Sequence, residues 1–273
     1  MTAPSTRVSG SGFRNATIFG FNASGHLNAL ASSGGTLTAY YGVQAEGART
    51  LELNEPEPRV INITGDDRLY AMDALPALEG MTGTLTIARM NQALEAITRN
   101  VTNFTVGEAK GLIGGISNES GNEPQCALIA YRQALTEAGA RVYESVIFPK
   151  ALLFARHSGY NQEAAEYQFS LVPQLVTQHI WETSLADGTE GATQAQCIRF
   201  ITQYKPTIVA WQADGIETEF SFDTAKQAVS TSKIHGVWVD GTVDATATLA
   251  TDKVTPTSTP TVGQVVVCFY EVA

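Results

Sequence analysis

The chain of 273 residues is 44% hydrophobic and only 16% charged, whereas charged residues make up about 25% of a typical soluble globular protein. Its 17 Lys and Arg stand against 27 Asp and Glu, and the resulting net charge of −10 disfavours tight binding to nucleic acid. The first residues, MTAPST, form no signal region, and no run of about 18 apolar residues occurs. We therefore expect a chain that stays inside the cell and has no membrane partner.

The predicted elements begin after a polar arm. Residues 1–14 are rich in Gly and Ser and are predicted to be flexible. Residues 15–88 break into short alternating or apolar runs separated by Gly, Pro, Asn and Asp, which is typical of an all-β domain. Strands are predicted at 15–21, 36–43, 48–53, 59–63, 69–75 and 82–87.

Two strands show the clearest alternation of polar and apolar residues, at 82–87 and 166–176. Side chains of a strand point alternately to its two faces, so each of these strands has one wet and one dry face. The polar positions are Thr84, Thr86, Glu166, Gln168 and Ser170. The apolar positions between them are Leu85, Ile87, Tyr167, Phe169 and Leu171. A slip of one residue in register would exchange the two faces.

Between these strands, residues 89–99 are the one convincing helix, because Met90, Leu94 and Ile97 recur at helical spacing. A strand at 101–106 follows, and residues 107–124 are predicted to be a long Gly-rich loop, a kind of loop that is often functional or interfacial. Residues 126–154 are predicted to form a hairpin that turns near Gly139.

The C-terminal part is predicted to be a second, smaller β domain. Residues 186–195 (ADGTEGATQA) have the composition of a linker. The predicted domains are therefore 15–185 and 196–273. Strand-like runs fill the second of these, and Asp240-Gly241 is a typical two-residue hairpin turn.

No catalytic, metal-binding or cofactor-binding constellation emerges from the sequence. The motif at 179–182 (HIWE) lacks the second histidine of a zinc-binding helix. Cys126, Cys197 and Cys268 are too widely spaced for a metal or redox motif, so buried free thiols are expected. The Gly-rich segments match no nucleotide-binding loop. An enzyme is therefore the least favoured interpretation, and no cofactor is predicted.

A series of strand patterns resembles the tail tube proteins of long-tailed bacteriophages, also called major tail proteins. The likeness covers about residues 10–185 and lies in the order of the segments. They are ITGDDR at 63–68, GTLTI at 83–87, ALEA at 93–96, CALIAYR at 126–132, GARVY at 139–143, IFP at 147–149 and YQFSLVPQ at 167–174. The segments 213–220, 237–241 and 263–270 look like small β modules found on many phage structural proteins.

The resemblance implies a mainly β fold, a β-sandwich or split barrel with one flanking helix, carrying a small C-terminal all-β domain outside the tube. Members of that family form stacked hexameric rings that make a hollow conduit for phage DNA. The implied partners are other copies of the chain, the tape measure, terminator and tail tip proteins, and DNA in transit. The implied location is the virion tail, after assembly in the bacterial cytoplasm.

The same resemblance suggests roles for named residues. Thr84, Thr86, Glu166, Gln168 and Ser170 would line the channel. Contacts between rings or subunits would involve Phe13, Arg14, Asp66, Asp67, Arg68, Gly114 and Gly115. Two alternatives stay open: another virion protein, such as a capsid decoration or tail-terminator subunit, and a carbohydrate- or host-surface-binding β protein. The second alternative would use Trp181, Trp211 and Trp238 as stacking platforms, although burial in the core is the commoner fate of tryptophan.

Overall fold

The protein is mainly β, as predicted, with antiparallel sheets and one short helix. The computed structural model describes residues 8–22, 25–29, 37–54, 59–65, 68–75, 81–89, 92–99, 102–106, 109–113, 125–136, 138–156, 167–174 and 198–273. The strands are β1 Val8–Gly20, β2 Val43–Gln44, β3 Ala48–Asn54, β4 Arg59–Gly65, β5 Arg68–Leu75, β6 Thr82–Ile87, β7 Thr102–Val106, β8 Ala109–Ile113, β9 Gln125–Thr136, β10 Arg141–Arg156, β11 Tyr167–Pro173, β12 Ile198–Thr202, β13 Lys205–Gln212, β14 Phe220–Ser221, β15 Ile234–Val239, β16 Thr242–Val243, β17 Thr248–Leu249, β18 Lys253–Thr255 and β19 Val265–Val272. The helix α1 is Gln92–Arg99.

One curved sheet organises the first part of the chain. Its strand order is β2-β1-β9-β10-β11-β6-β3, and β12 pairs with the first half of β10. The end strands β2 and β3 both belong to the stretch 43–54, which pairs with β1 at its start and with β6 at its end. The two ends of the sheet are therefore joined by one short piece of chain. The sandwich or split-barrel form itself stays a prediction.

The main core lies on the concave side of this sheet. Leu85, Phe169 and Leu171 are fully buried there, so the apolar positions of both alternating strands face the core. From α1, Leu94 is fully buried in the same cluster and Ile97 packs against it. The described helix is Gln92–Arg99, and it flanks the sheet as expected. Arg89, the first residue of the predicted helix, is not helical, and its backbone N–H donates to Glu46 O (3.3 Å).

The C-terminal strands form two further sheets, ordered β13-β19-β15-β16 and β14-β18-β17. Their shared core contains Trp211, Phe220 and Tyr270, all fully buried. The predicted hairpin at Asp240-Gly241 is confirmed: both residues have positive φ, 45° and 79°, and they connect β15 to β16 as a two-residue turn.

Three segments differ from the expectations. β1 begins at Val8, inside the predicted arm, because residues 8–13 pair with β9. The register of this pairing shifts twice, between Ser11 and Phe13 and between Phe13 and Asn15. Of the strand predicted at 36–43, the described residues 37–43 have strand geometry only at Val43, and Tyr40 exchanges two backbone hydrogen bonds of 2.9 Å with Ala210. β8 lies in the predicted loop 107–124, where it pairs with β7.

The predicted linker at 186–195 lies outside the described residues. β12, which follows it in the chain, pairs with β10 of the curved sheet between Tyr143 and Ile147. The proposed division into two domains stays a prediction, but backbone hydrogen bonds join the two parts.

Hydrogen bonds of Asp244 link the turn after β16 to the loop after β18. Its carboxylate accepts hydrogen bonds from Thr257 N (2.7 Å) and Thr257 Oγ1 (2.6 Å), and more weakly from Thr246 N (3.3 Å). Partial burial tends to raise the pKa of Asp244, but these hydrogen bonds outweigh it and the pKa is lowered.

The Asp244→Asn variant should therefore lose about 1 kcal/mol of stability at pH 7, less than the about 1.5–3 kcal/mol usual for charged hydrogen bonds because the carboxylate is largely solvated. A lowered folded-state pKa gives stability above the unfolded pKa of about 3.9, and this stability is lost as the pH falls through the folded value. Urea denaturation at several pH values checks this. A difference in the free energy of unfolding between wild type and variant that stays the same at a pH below both pKa values of Asp244 would contradict this prediction.

Candidate functional site

The polar positions of the two alternating strands come together on the convex face of the sheet, which we call the polar face. It is formed by β3, β6 and β11. Across it, Ser170 stands opposite Thr84, and Gln168 stands opposite Thr86. On the other side of β6, Glu52 stands opposite Thr84 and Thr50 opposite Thr86. Four of the five predicted channel residues thus share one face, while Glu166 lies outside the described residues.

The members of the polar face differ in exposure. Gln168 is exposed, Thr84 and Ser170 are half-buried, and Thr86 is only 8% exposed. Thr86 therefore offers little surface to a partner, although its place in the alternation matches that of Thr84. The alternation fixes which way a side chain points, but the neighbouring strands decide how much of it reaches solvent.

On one side the polar face borders β10, which pairs with β11 and is less polar there. Phe154 is exposed and stands opposite Ser170, and Arg156 stands opposite Gln168. Glu52 from β3 supplies a negative charge at the other edge. Apart from Glu52, the described positions of β3, β6 and β11 on the polar face are threonine, serine and glutamine.

The C-terminal strands cover the other half of the convex surface. Ile129 and Ile147, from β9 and β10, pack with Trp238 and Phe269 in one buried cluster. Lys205, at the start of β13, places its ammonium 5.8 Å from the Tyr131 ring centroid. Among the described residues, β3, β6 and β11, which form the polar face, contribute no side chain to this cluster.

Two hairpins stand apart from the sheets. β4 pairs only with β5, and β7 only with β8, among the strands that the structure describes. Arg68, a predicted contact residue, stands opposite Gly65 at the last pair of the first hairpin. Asp66, Asp67, Gly114 and Gly115 lie outside the described residues. In β1, Phe13 stands opposite Arg132 of β9, and the register of the pair shifts between Phe13 and Asn15, at Arg14.

Glu271 is the buried charged residue that sequence reasoning missed. Its side chain is 2% exposed, and it accepts hydrogen bonds from Tyr204 N (2.7 Å) and His235 Nε2 (2.9 Å). Lys233 Nζ lies 3.7 Å from the same carboxylate. The carboxylate therefore ties the β12–β13 connection to β15 and β19. In the sequence, Glu271 is marked only as an acidic residue near the end of the apolar run VVVCFYEV. Its partners are too distant in sequence to be predicted from the neighbouring residues.

Two of the three cysteines are buried free thiols, as expected. Burial raises the pKa of the Cys126 thiol to about 12, and it raises the pKa of the Cys268 thiol as well. Because the thiolate is the reactive form, neither should act as a nucleophile in the folded protein. Cys197 lies outside the described residues.

A Cys197→Ser variant should therefore show almost no thiol reaction with a disulfide reagent at pH 8 until urea unfolds it, and then two reactive thiols per chain. The reaction is followed by the absorbance of the released chromophore. Rapid native labelling of either remaining cysteine would contradict the packing of β9 and β19.

Within the described ranges, no group of three or more His, Cys, Asp or Glu residues could hold a metal ion. No helix among these residues is long and apolar enough to cross a membrane. Trp211 and Trp238 are buried in the cores, so neither can serve as a carbohydrate platform, and Trp181 lies outside the described residues. No protein-family model matches the chain, and no curated protein is significantly similar to it.

Proposed function

We propose that the chain is a structural, non-catalytic subunit that assembles into stacked rings forming a hollow tube, as the tail tube proteins that it resembles do. The observation that carries the proposal is the polar face. It is a continuous, mostly uncharged strand surface on a curved sheet, backed by a fully buried core that contains Leu85 and Phe169. Such a surface is suited to line a channel rather than to hold a ligand.

The charge of the chain supports a DNA conduit. A wall that passes DNA has to avoid many phosphate contacts, because each Lys or Arg that neutralises a phosphate strengthens binding through counterion release. The formal net charge is −10, and the described positions of β3, β6 and β11 on the polar face are threonine, serine and glutamine apart from Glu52. DNA can then slide past the wall without being held.

The separate hairpins support assembly. An isolated two-stranded hairpin is marginally stable in water, and unpaired strand edges invite pairing with another chain. β4–β5 and β7–β8 have no third strand among the described residues. We propose that neighbouring subunits supply the missing contacts, with Arg68 near one such contact.

Electron microscopy of the purified chain over a range of concentrations tests the proposal. We expect rings, and at higher concentration hollow tubes of stacked rings. Compact particles of fixed small size would favour a decoration or terminator subunit, and monomers at every concentration would exclude self-assembly.

A shortened variant tests the role of the first hairpin. Arg59 and Leu75 stand opposite each other at its base, so a short Gly-Ser linker can replace residues 60–74 without stretching the chain. We expect this variant to keep the thermal stability of the remaining fold but to form no tubes. Tubes of wild-type length from the variant would remove this hairpin from the assembly contacts.

A further inference from the structure

The C-terminal strands carry their charges toward two opposite ends. After residue 202, the only lysines and arginines of the chain are Lys205, Lys226, Lys233 and Lys253. β13 begins at Lys205, and β15 begins directly after Lys233. Both strands pair antiparallel with β19, so they run in the same direction and these two lysines lie at the same end, which we call the basic end. The other two lysines are paired with the carboxylates of Asp223 and Glu219.

Aromatic rings extend the basic end onto the curved sheet. The ammonium of Lys233 lies 5.7 Å from the Tyr204 ring centroid, and that of Lys205 lies 5.8 Å from the Tyr131 ring centroid. Both distances are within the range in which a ring attracts a cation. Tyr131 packs edge to face against Tyr143, with their centroids 5.8 Å apart. The lysines and tyrosines therefore form one continuous surface.

This surface is positively charged and partly apolar. On the face of β9 and β10 that carries two of these tyrosines, Leu135 is 46% exposed and stands opposite the exposed Arg141. The buried carboxylate of Glu271 offsets the charge of Lys233, which lies 3.7 Å away. Among the described residues, no carboxylate is paired with Arg141 or Lys205. Two positive charges therefore remain at the basic end.

The other end of the same strands is acidic and aliphatic, and we call it the acidic end. The loops after β13 and β15 and before β19 carry Asp214, Glu217 and Asp240 there, and they contain no lysine or arginine. They also carry Ile216, which is 81% exposed, and Val262, which is 77% exposed, the highest values for large hydrophobic residues in the part of the chain that the structure describes. Exposing such branched side chains costs solvation free energy unless a partner covers them.

The loops of the acidic end are held in place by hydrogen bonds. Ala213 N donates to Gln264 O (2.8 Å), which joins the loop after β13 to the loop before β19. The Asp214 carboxylate accepts hydrogen bonds from Glu217 N (3.0 Å) and Ile216 N (2.9 Å). These hydrogen bonds lower the pKa of Asp214, so it stays charged at neutral pH. A surface that is already ordered loses little conformational entropy on binding.

One chain cannot join its own two ends. From Lys205 to Gln212, at about 3.3 Å per residue, β13 spans about 23 Å, a distance that no side chain bridges. Neither end shares a residue with the polar face, which lies on β3, β6 and β11. A contact between the two ends of different chains therefore leaves the proposed channel wall free.

We propose that the acidic end of one chain docks on the basic end of a second copy of this chain. In this contact the carboxylates of Asp214 and Glu217 face Arg141 and Lys205, while Leu135 and the tyrosines cover the exposed aliphatic side chains. The contact joins two different surfaces, so it repeats head to tail and generates rings or filaments rather than closed pairs. It deepens the proposed self-assembly and rests on it, because it names one of the contacts through which the subunits would meet.

Chemical cross-linking tests the contact directly. In a Cys197→Ser background, a Val262→Cys variant is mixed with a Leu135→Cys variant at an assembling concentration and treated with a short bismaleimide. The two remaining native cysteines are buried, so the introduced thiols react. We expect a linked dimer that contains one chain of each variant, identified by mass spectrometry of the joined peptides. A Thr242→Cys variant, altered at an exposed position far from the basic end, replaces Leu135→Cys as the control partner and should not link.

Charge reversal gives a second measurement. The Arg141→Glu/Lys205→Glu variant makes the basic end acidic, and the Glu217→Lys/Thr218→Lys/Thr261→Lys variant adds lysines to the acidic end. Each variant alone should raise the critical concentration for assembly about tenfold or more, because like charges then meet at the contact. Mixed in equal amounts, the two variants should assemble at a lower concentration than either alone, since each altered end then meets an end of the opposite charge.

The outcomes separate this contact from the proposed function. If tubes form, but both charge variants assemble as the wild type does and no mixed dimer links, the contact is overturned while the proposed function stands. If a charge variant does not fold, as judged by circular dichroism, the cross-linking result decides alone. If the wild-type chain remains monomeric at every concentration, both proposals fail.

Discussion

Replacing Trp238 by alanine should lower the free energy of unfolding by about 3–5 kcal/mol, the usual cost of removing a large aromatic side chain from a core. Trp238 is 1% exposed and packs in the cluster that joins the C-terminal strands to the curved sheet. Its ring also covers Gly236, where an added Cβ would lie 2.5 Å from Cη2, so on this side there is no side chain to fill the space that the ring leaves. Urea denaturation followed by far-ultraviolet circular dichroism measures the loss.

A matched variant separates the loss of a core residue from the loss of docking. Trp211 is equally buried but belongs to the cluster within the C-terminal strands. Trp211→Ala should cost a similar free energy yet leave hydrogen-exchange protection of β9 unchanged until global unfolding. Trp238→Ala should lower the protection of β9 as well. A loss below about 1 kcal/mol for Trp238→Ala would contradict the packing described here.

Introducing lysine on the polar face should convert the proposed channel wall into one that retains DNA. Thr84 and Ser170 stand opposite each other, so the Thr84→Lys/Ser170→Lys variant places two ammonium groups side by side on every subunit. Around a ring these charges repeat, and each phosphate contact adds to a strongly salt-dependent affinity. We expect at least tenfold more short duplex DNA to sediment with variant tubes than with wild-type tubes at low salt, and the excess to disappear at high salt.

The position of the lysines is the decisive variable. Ala225→Lys and Gln227→Lys add the same charge at exposed positions in the connection between β14 and β15, in the C-terminal part that the proposal places outside the tube. DNA held by this control is open to digestion by nuclease, whereas DNA held inside a tube is shielded. Equal nuclease sensitivity in both variants would show that the polar face does not line a channel.

Local pattern predicted the faces of the strands well. The alternation at 82–87 and 167–171 depends only on neighbours in sequence, and the structure buries Leu85, Ile87 and Phe169 while their polar neighbours share the opposite face. The turn at Asp240-Gly241 was predictable for the same reason, because two successive positive φ angles favour this pair of residues.

Pairings between distant parts of the chain were not predictable. β12 joins β10 across more than 50 residues, and the stretch 43–54 joins both ends of the curved sheet. Neither leaves a periodic signal, because strand pairing is decided by complementary shape and burial after the chain has come together. The acceptor role of Glu271 was hidden in the same way, since its partners at 204 and 235 come together only in the folded sheet.

The cover that the C-terminal strands place over Ile129 and Ile147 has a consequence for how the chain emerges from the ribosome. Phe269, which completes that cluster, is made about 120 residues after Ile147, a delay on the order of 10 s at about 5–20 residues per second. During this interval, the nascent sheet carries an uncovered apolar surface as well as its polar face. This apolar surface stays uncovered until β19 has been made, so chains that stop before Phe269 are expected to aggregate rather than assemble.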